Sequence, residues 1–526
     1  MKNAALARLV QWTPQSSAED VDRIYTTSAL GLAMERLERG KAWLVLGRKG
    51  VGKSALIYKF LDTYKEGVLA RKREFDPVLI RERVKFFGAE GIRSSAYKAF
   101  KLDILLLAAD ELRLNLPDGR TRKAARRIAQ YYDGKWLTSF LSKLRRTKLF
   151  SSLSKTFLGT EEIGDAVPGL IKDVSMIDKE LLKVEGMMRE LCARLPNQKR
   201  VYIIFDEVDL TLSKLRELRD APSYLDYIES LAALLQACST FSDLRHAGIP
   251  VYPVIVLRDD IFREIGGADA GKWEGSAINI SFSPSDIEDL LRHRLLAELE
   301  ETGIKNVPRD ATLLKVWSYY SDNGICSPTK KTILQLLLQR TLNRPRDVVQ
   351  FMSVLANTVA RRPTATKITP TDFDRARTPY AKYFWNEFLD EMGYKYPFLH
   401  MIGQTLYEAF FPEVAPGVTN RRSDVRGATL RQKFGTLRKN LEREGVQIGS
   451  EEELINDLLA GSILGVQIPT QSGSKVAYHY LDGVERTVTG DGVYYLHGAV
   501  SDYFYPRSGK DTERSPLDIE SFEVTP

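Results

Sequence analysis

The stretch Gly47-Arg-Lys-Gly-Val-Gly-Lys-Ser54 decides the fold of this chain. It has the spacing G-x-x-x-x-G-K-[ST], in which glycines let a loop wrap closely around phosphate groups. The apolar run Ala42–Leu46 before it predicts a buried strand, and apolar residues at positions 56, 57, 60 and 61 predict a helix after it. The order of strand, loop and helix predicts an anion-binding turn at a helix N-terminus.

The residue types of this loop predict a nucleotide and a magnesium ion as its ligands. Lys53 is expected to reach the β- and γ-phosphates, and the Ser54 hydroxyl is expected to bind Mg²⁺. The sequence contains no NKxD motif, which would indicate specificity for guanine, so ATP is the expected nucleotide. The loop residues expected to contact the nucleotide are Gly47, Gly50, Gly52, Lys53, Ser54 and Ala55.

A second apolar run, Val201–Phe205, ends in Asp206 and Glu207 and predicts the other half of the site. Asp206 is expected to hold Mg²⁺ together with Ser54. Glu207 is expected to act as the general base on the attacking water, because this role needs a carboxylate within hydrogen-bond reach. Asp209 is interpreted as a helix cap or an outer magnesium residue. The alternative for the whole run Val201–Glu207 is a strand that simply ends in a polar turn, without a role in nucleotide binding.

Lys53 and Asp206 are 153 positions apart, and no LSGGQ-like signature follows. The acid-plus-glutamate pair favours ATPases with an additional strand between the two motif strands. The apolar run Val251–Leu257 suits that strand, and Arg258 after it is a candidate sensor of the γ-phosphate. The alternative for Arg258 is a surface arginine.

The order GRKGVGKS, FDEVD, LRDDIF and Asn343-Arg-Pro-Arg-Asp347 resembles the AAA+ and STAND-type P-loop ATPases. The origin-recognition-like and KAP-like bacterial groups are the most similar, over residues 20–385. The resemblance implies that an arginine at the start of a lid helix reaches the γ-phosphate. Arg346 matches that position best and Arg344 second best. The expected catalytic residues are therefore Glu207, Lys53, Arg258 and Arg346.

The expected fold class is α/β, a P-loop ATPase core with a parallel sheet, a helical insertion, a helical lid and a winged-helix-like C-terminal domain. The expected boundaries are residues 1–99 and 199–300 for the core, 100–198 for the basic insertion, 301–395 for the lid and 396–526 for the last domain. In the last domain three helices precede the strands 474–481 and 492–496, which are predicted to form a hairpin. Its third helix begins with the acidic run Glu451-Glu-Glu, so DNA binding and protein binding both stay open.

The charge of the chain is concentrated in two segments. The net charge is +7, but Gly119–Lys148 has ten Lys/Arg against one acid and Asn420–Glu444 has eight against three. The first segment also contains Tyr131, Tyr132 and Trp136. Cations neutralise phosphates and aromatic rings stack on unpaired bases, so residues 119–148 are a candidate nucleic-acid surface. A solvated helix pair or a protein interface is the alternative.

Composition excludes several classes of protein. Apolar residues make up 43% and charged residues 28% of the 526 residues, which excludes a disordered or fibrous chain. Three widely spaced cysteines without a CxxC motif argue against a disulfide framework and a zinc site. Because apolar stretches are too short for a membrane span, no membrane partner is expected, and the expected location is the cytoplasm.

Three functions follow as hypotheses. The first is an ATP-hydrolysing, Mg²⁺-dependent switch in a bacterial antiphage complex, with a protein effector on another chain or a homo-oligomer as partner. The second is a DNA-binding ATPase that loads or remodels nucleoprotein. The third is a scaffold that binds ATP without hydrolysing it. Glu207 favours an enzyme over the scaffold.

Overall fold

A computed structural model describes the chain in the following ranges: 4–12, 28–74, 92–116, 119–129, 174–195, 199–206, 208, 224–266, 270–304, 306–321, 332–362, 365–393, 395–396, 398–415, 418–419, 422–446, 449–470, 473–482, 484 and 486–505. These residues divide into two compact units. The first lies within Thr27–Lys49 and Lys53–Ser281, and the second lies within Met1–Thr26, Gly50–Gly52 and Phe282–Pro526.

A five-stranded parallel sheet organises the first unit. Its strands in chain order are β1 (Leu44–Leu46), β2 (Val68–Glu74), β3 (Arg200–Asp206), β4 (Val251–Leu257) and β5 (Ala277–Asn279). Their spatial order is β2-β3-β4-β1-β5, and every pairing is parallel. The strand β4 therefore lies between β1 and β3, which confirms the prediction of an additional strand between the two motifs. The runs in β1 and β3 are apolar almost throughout, as expected for strands buried on both faces.

Helices connect these parallel strands, because a parallel crossover needs a dozen or more residues. The helix α2 (Ser28–Glu38) precedes β1. The helices between the strands are α3 (Lys53–Thr63), α4 (Ile92–Asn115), α5 (Arg120–Ala129), α6 (Val174–Cys192), α7 (Tyr224–Ser239), α8 (Phe241–His246), α9 (Asp259–Ile265) and α10 (Ala270–Glu274). The helix α4 packs on α5, α6 and α7 as well as on the sheet. Its middle section, Ile104–Ala109, is buried throughout, so this stretch of the insertion belongs to the core of the unit.

The second unit begins with helices only. They are α1 (Ala4–Leu9), α11 (Pro284–Glu301), α12 (Leu313–Trp317), α13 (Ile333–Leu338), α14 (Pro345–Ala360), α15 (Pro370–Met392) and α16 (Leu399–Phe410). Ser283 caps α11: its hydroxyl accepts from the Asp286 N–H, while the Asp286 carboxylate accepts from the Ser283 N–H. This reciprocal pair is the capping box that the sequence Ser-Pro-Ser-Asp indicates.

The C-terminal part of the second unit combines helices with two small sheets. Its further elements are β6 (Glu413–Ala415), β7 (Val418–Thr419), β8 (Val425–Arg426), α17 (Gly427–Arg443), α18 (Glu451–Ala460), β9 (Leu464–Thr470), β10 (Gly473–Ala477), α19 (His479–Asp482), β11 (Val493–Leu496) and α20 (Gly498–Phe504). The larger sheet has the order β10-β9-β11-β8, and the smaller one pairs β6 with β7. The helices α17 and α18, followed by the antiparallel pair β9 and β10, agree with the winged-helix-like architecture expected from the sequence.

The hairpin itself differs from the expectation. The strands at 474–481 and 492–496 are not neighbours; β10 pairs with β9, and β11 pairs with the other edge of β9. The strand β9 was not predicted from the sequence, and it contains Gly465 and Pro469, two residue types that are disfavoured inside strands. Pro469 is tolerated because the β11 pairing of β9 covers only Leu464–Val466. The strand β10 ends at Ala477, and Tyr478 lies over Gly465, where an added Cβ atom would come within 2.5 Å of its ring.

Two searches of the described residues gave negative results. No described helix is both long and apolar enough to cross a membrane. Within the same residues there is no group of three or more His, Cys, Asp or Glu side chains that could hold a metal ion. A magnesium site of the kind predicted needs only one carboxylate and a hydroxyl from the protein, so the second result does not bear on it.

Candidate functional site

The Gly47–Ser54 loop has the backbone that its glycines predict. Gly50 and Gly52 have φ angles of 81° and 91°, in the left-handed region that side chains disfavour. The helix α3 begins at Lys53, directly after the loop. The Lys53 ammonium donates to the carbonyl oxygens of Gly47 and Arg48 at 2.8 and 2.9 Å. The loop therefore curls around the lysine that is expected to meet the phosphates.

Asp206 lies at the carboxyl end of β3 and is only 2% exposed. The Ser54 hydroxyl donates to Asp206 Oδ1 at 3.1 Å, although the two residues are 152 positions apart. The fold thus brings together the two residues predicted to hold Mg²⁺. A carboxylate and a hydroxyl are hard oxygen ligands, and Mg²⁺ is bound by few protein ligands and keeps several waters. The pair fits that ion.

Lys72 on β2 is a member of the site that sequence reasoning missed. Its ammonium lies 3.1 Å from Asp206 Oδ2, on the carboxylate oxygen that Ser54 does not contact. The same ammonium donates to the Tyr58 hydroxyl at 3.3 Å. Lys72 balances the charge of a nearly buried carboxylate, whose burial alone would be costly. The run Arg71-Lys-Arg73 did not mark this residue, because β2 is an edge strand of the sheet and charged side chains are usual on edge strands.

Arg258 follows β4 and stands at the N-cap of α9. Only 5% of it is exposed, and its Nε donates to Asp260 Oδ1 at 3.0 Å in a two-point ion pair. Burial pushes the pKa of Asp260 upward, but Arg258, the backbone N–H of Ile261 and the charge of Arg48 together outweigh that effect, and the pKa lies below its usual range. Arg258 is therefore a buried, paired arginine and not the exposed surface residue of the alternative interpretation.

Arg344 and Arg346, at the start of α14, have different surroundings. Arg344 is 3% exposed; its Nε donates to Asp347 at 2.8 Å and its Nη1 to Glu391. Burial would lower the pKa of this guanidinium, but the two carboxylates raise it further above its already high value. Its charge is satisfied inside the second unit.

Arg346 contacts the loop tip that belongs to the same unit. Its backbone N–H donates to the Gly50 carbonyl at 3.3 Å, and its side chain lies on Gly50, where an added Cβ would come within 3.0 Å of the Arg346 Cβ. Its Nη1 is 3.4 Å from Glu387. A glycine is needed at position 50 both for its φ angle and for this close approach.

Other residues singled out from the sequence are partly outside the described chain. Glu207 and Asp209 lie there, and so do Tyr131, Tyr132 and Trp136. Ala55 is buried in the first turn of α3. The roles of all these residues in binding or catalysis stay predictions.

The described part of the basic segment is the helix α5. Ala125, Ile128 and Ala129 face the interior of the unit. Arg122 Nε donates to the Arg113 carbonyl at 3.0 Å. Four further cations are exposed, and in the part of the chain that the structure describes no ion pair involves them: Arg120, Lys123, Arg126 and Arg127.

Comparisons with known proteins add a partial family match and two distant structural likenesses. Residues 285–389 match a family described as the FunZ-associated C-terminal helical domain, and this range spans α11 to α15. The Walker-type ATPase PABY2304 of Pyrococcus abyssi is similar at 13% identity and a TM-score of 0.34, covering 90% of this chain and 98% of that one. Cdc6p from Pyrobaculum aerophilum is similar at 12% identity and a TM-score of 0.28, covering 88% and 94%. No curated protein sequence matches significantly.

The assignment of the fold rests on the geometry of the chain itself. A parallel sheet in the order β2-β3-β4-β1-β5 places the glycine-rich loop after β1 and a buried aspartate at the end of β3. Ligands of such open α/β sheets bind at the carboxyl ends of the strands. The fold is therefore an α/β P-loop fold with attached helical and winged-helix-like parts.

Proposed function

We propose that this chain binds ATP·Mg²⁺ at the Gly47–Ser54 loop and hydrolyses ATP as a molecular switch. The observation that carries the proposal is the 3.1 Å hydrogen bond from the Ser54 hydroxyl to Asp206, directly beside a lysine enclosed by a glycine-rich loop. A strand that merely ended in a polar turn would have no reason to place its carboxylate there. Burying Asp206 costs free energy, which a functional role explains.

Each residue has a defined role in this proposal. Lys53 and the N–H groups of the loop bind the phosphates. Ser54 and Asp206 hold the ion, which supplies charge neutralisation at the phosphate oxygens. Lys72 balances Asp206 from the opposite side. Glu207 orients the attacking water and accepts its proton.

We assign the sensing of the nucleotide state to Arg346, with Arg258 as a second contact. Arg346 lies against Gly50 in the loop tip, whereas the guanidinium of Arg344 is bound by Asp347 and Glu391. Because Arg346 stands in the first turn of α14, a change in its contact with the loop would act on that helix. This is the coupling that a switch requires.

Two substitutions test the ATPase. Lys53→Ala should abolish ATP binding, because it removes the cation that the phosphates meet. Glu207→Gln should still bind ATP·Mg²⁺ but hydrolyse it about 10²–10⁴-fold more slowly, since only the general base is lost. Lys65→Ala, an exposed lysine near the end of α3, is the matched control and should behave as the wild type. Calorimetric binding and phosphate release measure these outcomes, and wild-type behaviour of Lys53→Ala would refute the assignment.

Arg346→Ala tests the switch separately. It should bind ADP normally but distinguish ATP from ADP less well, because a guanidinium that reaches the γ-phosphate has no partner in ADP. Affinities for both nucleotides, measured on the same preparation, give the ratio. If Arg344→Ala lost the discrimination instead, the sensor would be Arg344.

The second candidate function, a nucleic-acid-dependent ATPase, is favoured by the exposed cations of α5. Nucleic acid bound there would make the chain a loader or remodeller of nucleoprotein. Turnover with and without single-stranded DNA distinguishes the two: stimulation supports the loader, and its absence supports the switch. A scaffold would show ATP binding without turnover in the wild type.

The biological role proposed for the switch is bacterial antiphage defence with an effector on another chain. Its basis is the resemblance to STAND-type ATPases in the order of four motifs. Plaque counts on cells that express the wild-type chain with its genomic neighbours, or the Lys53→Ala form, test it. Equal protection by both forms would show that defence does not depend on ATP binding at the Gly47–Ser54 loop.

A further inference from the structure

A cavity of about 330 Å³ lies in the second unit, apart from the glycine-rich loop. Its polar lining is Arg340, Arg377, Arg422, Ser423, Ser501 and Asp502. These residues come from four places in the chain: the turn after α13, the helix α15, the segment before β8, and the helix α20, in which Ser501 and Asp502 lie one turn after Gly498. Its volume falls within the range of small-molecule pockets.

The arginines of this cavity are held in place. Arg340 Nε donates to Asp502 Oδ2 at 2.7 Å, and Arg377 Nε donates to the same oxygen at 2.9 Å. The side chains of Arg340, Arg377 and Asp502 are at most 16% exposed. Gly498 allows the approach, because a Cβ atom there would come within 2.4 Å of the Gln339 carbonyl and 2.8 Å of Arg340 Nη1. The two guanidinium groups are therefore fixed before any ligand enters.

The cavity has more positive than negative charge. Three arginines and one aspartate line it, so the lining carries a net charge of 3 − 1 = +2. Arg340 and Arg377 share the nearly buried carboxylate of Asp502, and the second carboxylate on Arg377, Asp374, is half exposed and lies 3.5 Å from its Nη1. An anion that enters this partly enclosed space would offset the positive charge that remains. Arg422, the third arginine, is exposed at the rim, and among the described residues no ion pair involves its side chain.

The remaining lining narrows the class of anion. Ser423 and Ser501 bring hydroxyl groups, whereas Phe410 and Leu496 bring an aromatic ring and an aliphatic side chain. A phosphomonoester has a charge of about −1.5 to −2 at pH 7 and three acceptor oxygens. That charge matches +2 better than a monocarboxylate does, and guanidinium groups bind phosphate in a two-point geometry. The apolar side chains suit an organic body on the phosphate.

We propose that this cavity binds a small phosphorylated molecule, about the size of a nucleoside monophosphate, at a site separate from the predicted ATP site. Arg422 and Ser423 close over the phosphate from the rim. Arg340 and Arg377 supply the fixed positive charge beneath it, and Asp502 sets their orientation. The site lies in the second unit and does not depend on the ATPase proposal.

The test uses the full chain carrying Lys53→Ala, so that phosphate groups do not bind at the loop. Inorganic phosphate and AMP should bind in isothermal calorimetry, and adenosine should not. Arg422→Ala should weaken AMP binding about fivefold to tenfold, because one charge-assisted contact is lost. Arg309→Ala, an arginine whose side chain is 90% exposed elsewhere in the same unit, is the matched control and should change nothing.

A second variant gives an effect of the opposite sign. Asp502→Asn keeps the shape of the side chain but removes the internal anion, so AMP binding should become tighter; thermal melting checks that the unit still folds. Arg422→Ala in the otherwise wild-type chain should leave ATP turnover unchanged, which separates the two proposals. Failure of phosphate and AMP to bind, binding insensitive to Arg422→Ala, or binding of single-stranded DNA alone would each overturn the proposal.

Discussion

Two helices that are both rich in Lys and Arg differ in whether these side chains form ion pairs within the chain. The helix α5 carries Arg120, Lys123, Arg126 and Arg127 on its exposed side, and none of them lies in an ion pair within the described residues. Each of the two helices contains five Lys or Arg residues, but three of those in α17 form ion pairs with carboxylates of the second unit. Their pairs are Arg431–Glu452 at 3.0 Å, Lys433–Glu408 at 3.2 Å and Arg438–Glu451 at 3.2 Å.

The ion pairs of α17 explain why α18 begins with acidic residues. Glu451 and Glu452 are unexpected in a helix that reads DNA, and the structure shows both paired with cations of α17. The acidic helix therefore supplies countercharge inside the C-terminal part. A map of charge along the sequence cannot distinguish a cation that is offset by the chain itself from one that needs a partner. The exposed cations of α5 are the better candidate for an external anion.

The largest expected effect is on nucleic-acid binding. Reversing Lys123, Arg126 and Arg127 to Glu should lower the affinity for a single-stranded oligonucleotide at least about 100-fold at low salt, because each reversal removes a phosphate contact and adds repulsion. The matched reversal of Arg431, Lys433 and Arg438 should change the affinity little. Fluorescence anisotropy measures both. Equal losses in the two variants would remove the distinction between the helices.

Salt dependence sharpens the same comparison. Each phosphate contact to a single strand contributes about −0.7 to the slope of log K against log salt. Replacing Lys123, Arg126 and Arg127 by Gln should therefore make the slope less steep by about 2. The same replacement in α17 should leave the slope unchanged. A wild-type protein that binds neither DNA nor RNA at low salt would leave an acidic protein as the partner of α5.

A smaller and opposite effect is expected on stability. Arg431→Gln removes a partly exposed ion pair and the hydrogen bond from Nη2 to the Val488 carbonyl, and it should lower the free energy of unfolding by about 1 kcal/mol. Arg126→Gln should leave it unchanged or raise it by a few tenths of a kcal/mol, because Arg122 and Arg126 repel at i, i+4 spacing. Urea unfolding of the full chain gives both values. A loss of stability in Arg126→Gln would mean that α5 is offset within the chain after all.

The smallest effect concerns pH. A backbone hydrogen bond at the start of α18 lowers the pKa of Glu451 below its usual 4.5; burial opposes this and Arg438 adds to it. A depressed carboxylate pKa contributes stability above the unfolded value, and that contribution is lost as the pH falls through the folded value. Arg438→Gln should move the pKa of Glu451 upward in an NMR titration. An unmoved pKa would show that the pair with Arg438 does not persist in solution.

Local sequence patterns predicted much of the fold and of the candidate site. Val251–Leu257 forms a strand with the predicted bounds, and α3 begins at the lysine of the glycine-rich loop. The meeting of Ser54 and Asp206 was also predictable, because parallel strands bring their carboxyl ends to one edge of the sheet. These features depend on the spacing of apolar residues and on backbone geometry, both of which are present in short stretches of sequence.

Other features depend on contacts between distant segments. The predicted partner of β10 was wrong, because β10 pairs with β9, a strand that was not predicted from the sequence. Lys72 reaches Asp206 only because β2 pairs with β3 in one register. The separation of Lys72 and Asp206 along the chain does not predict that their side chains are in contact.

The sequence by itself determined the phosphate-binding loop, the acidic end of β3 and the presence of two cationic segments. Only the tertiary structure decided which of those cations are offset, which arginine contacts the loop tip and where Arg340, Arg377 and Asp502 meet. The physical reason is range. Backbone preference and apolar periodicity act over a few residues, whereas the net charge around a side chain is set by neighbours more than a hundred positions away, as in the pair of Arg340 with Asp502.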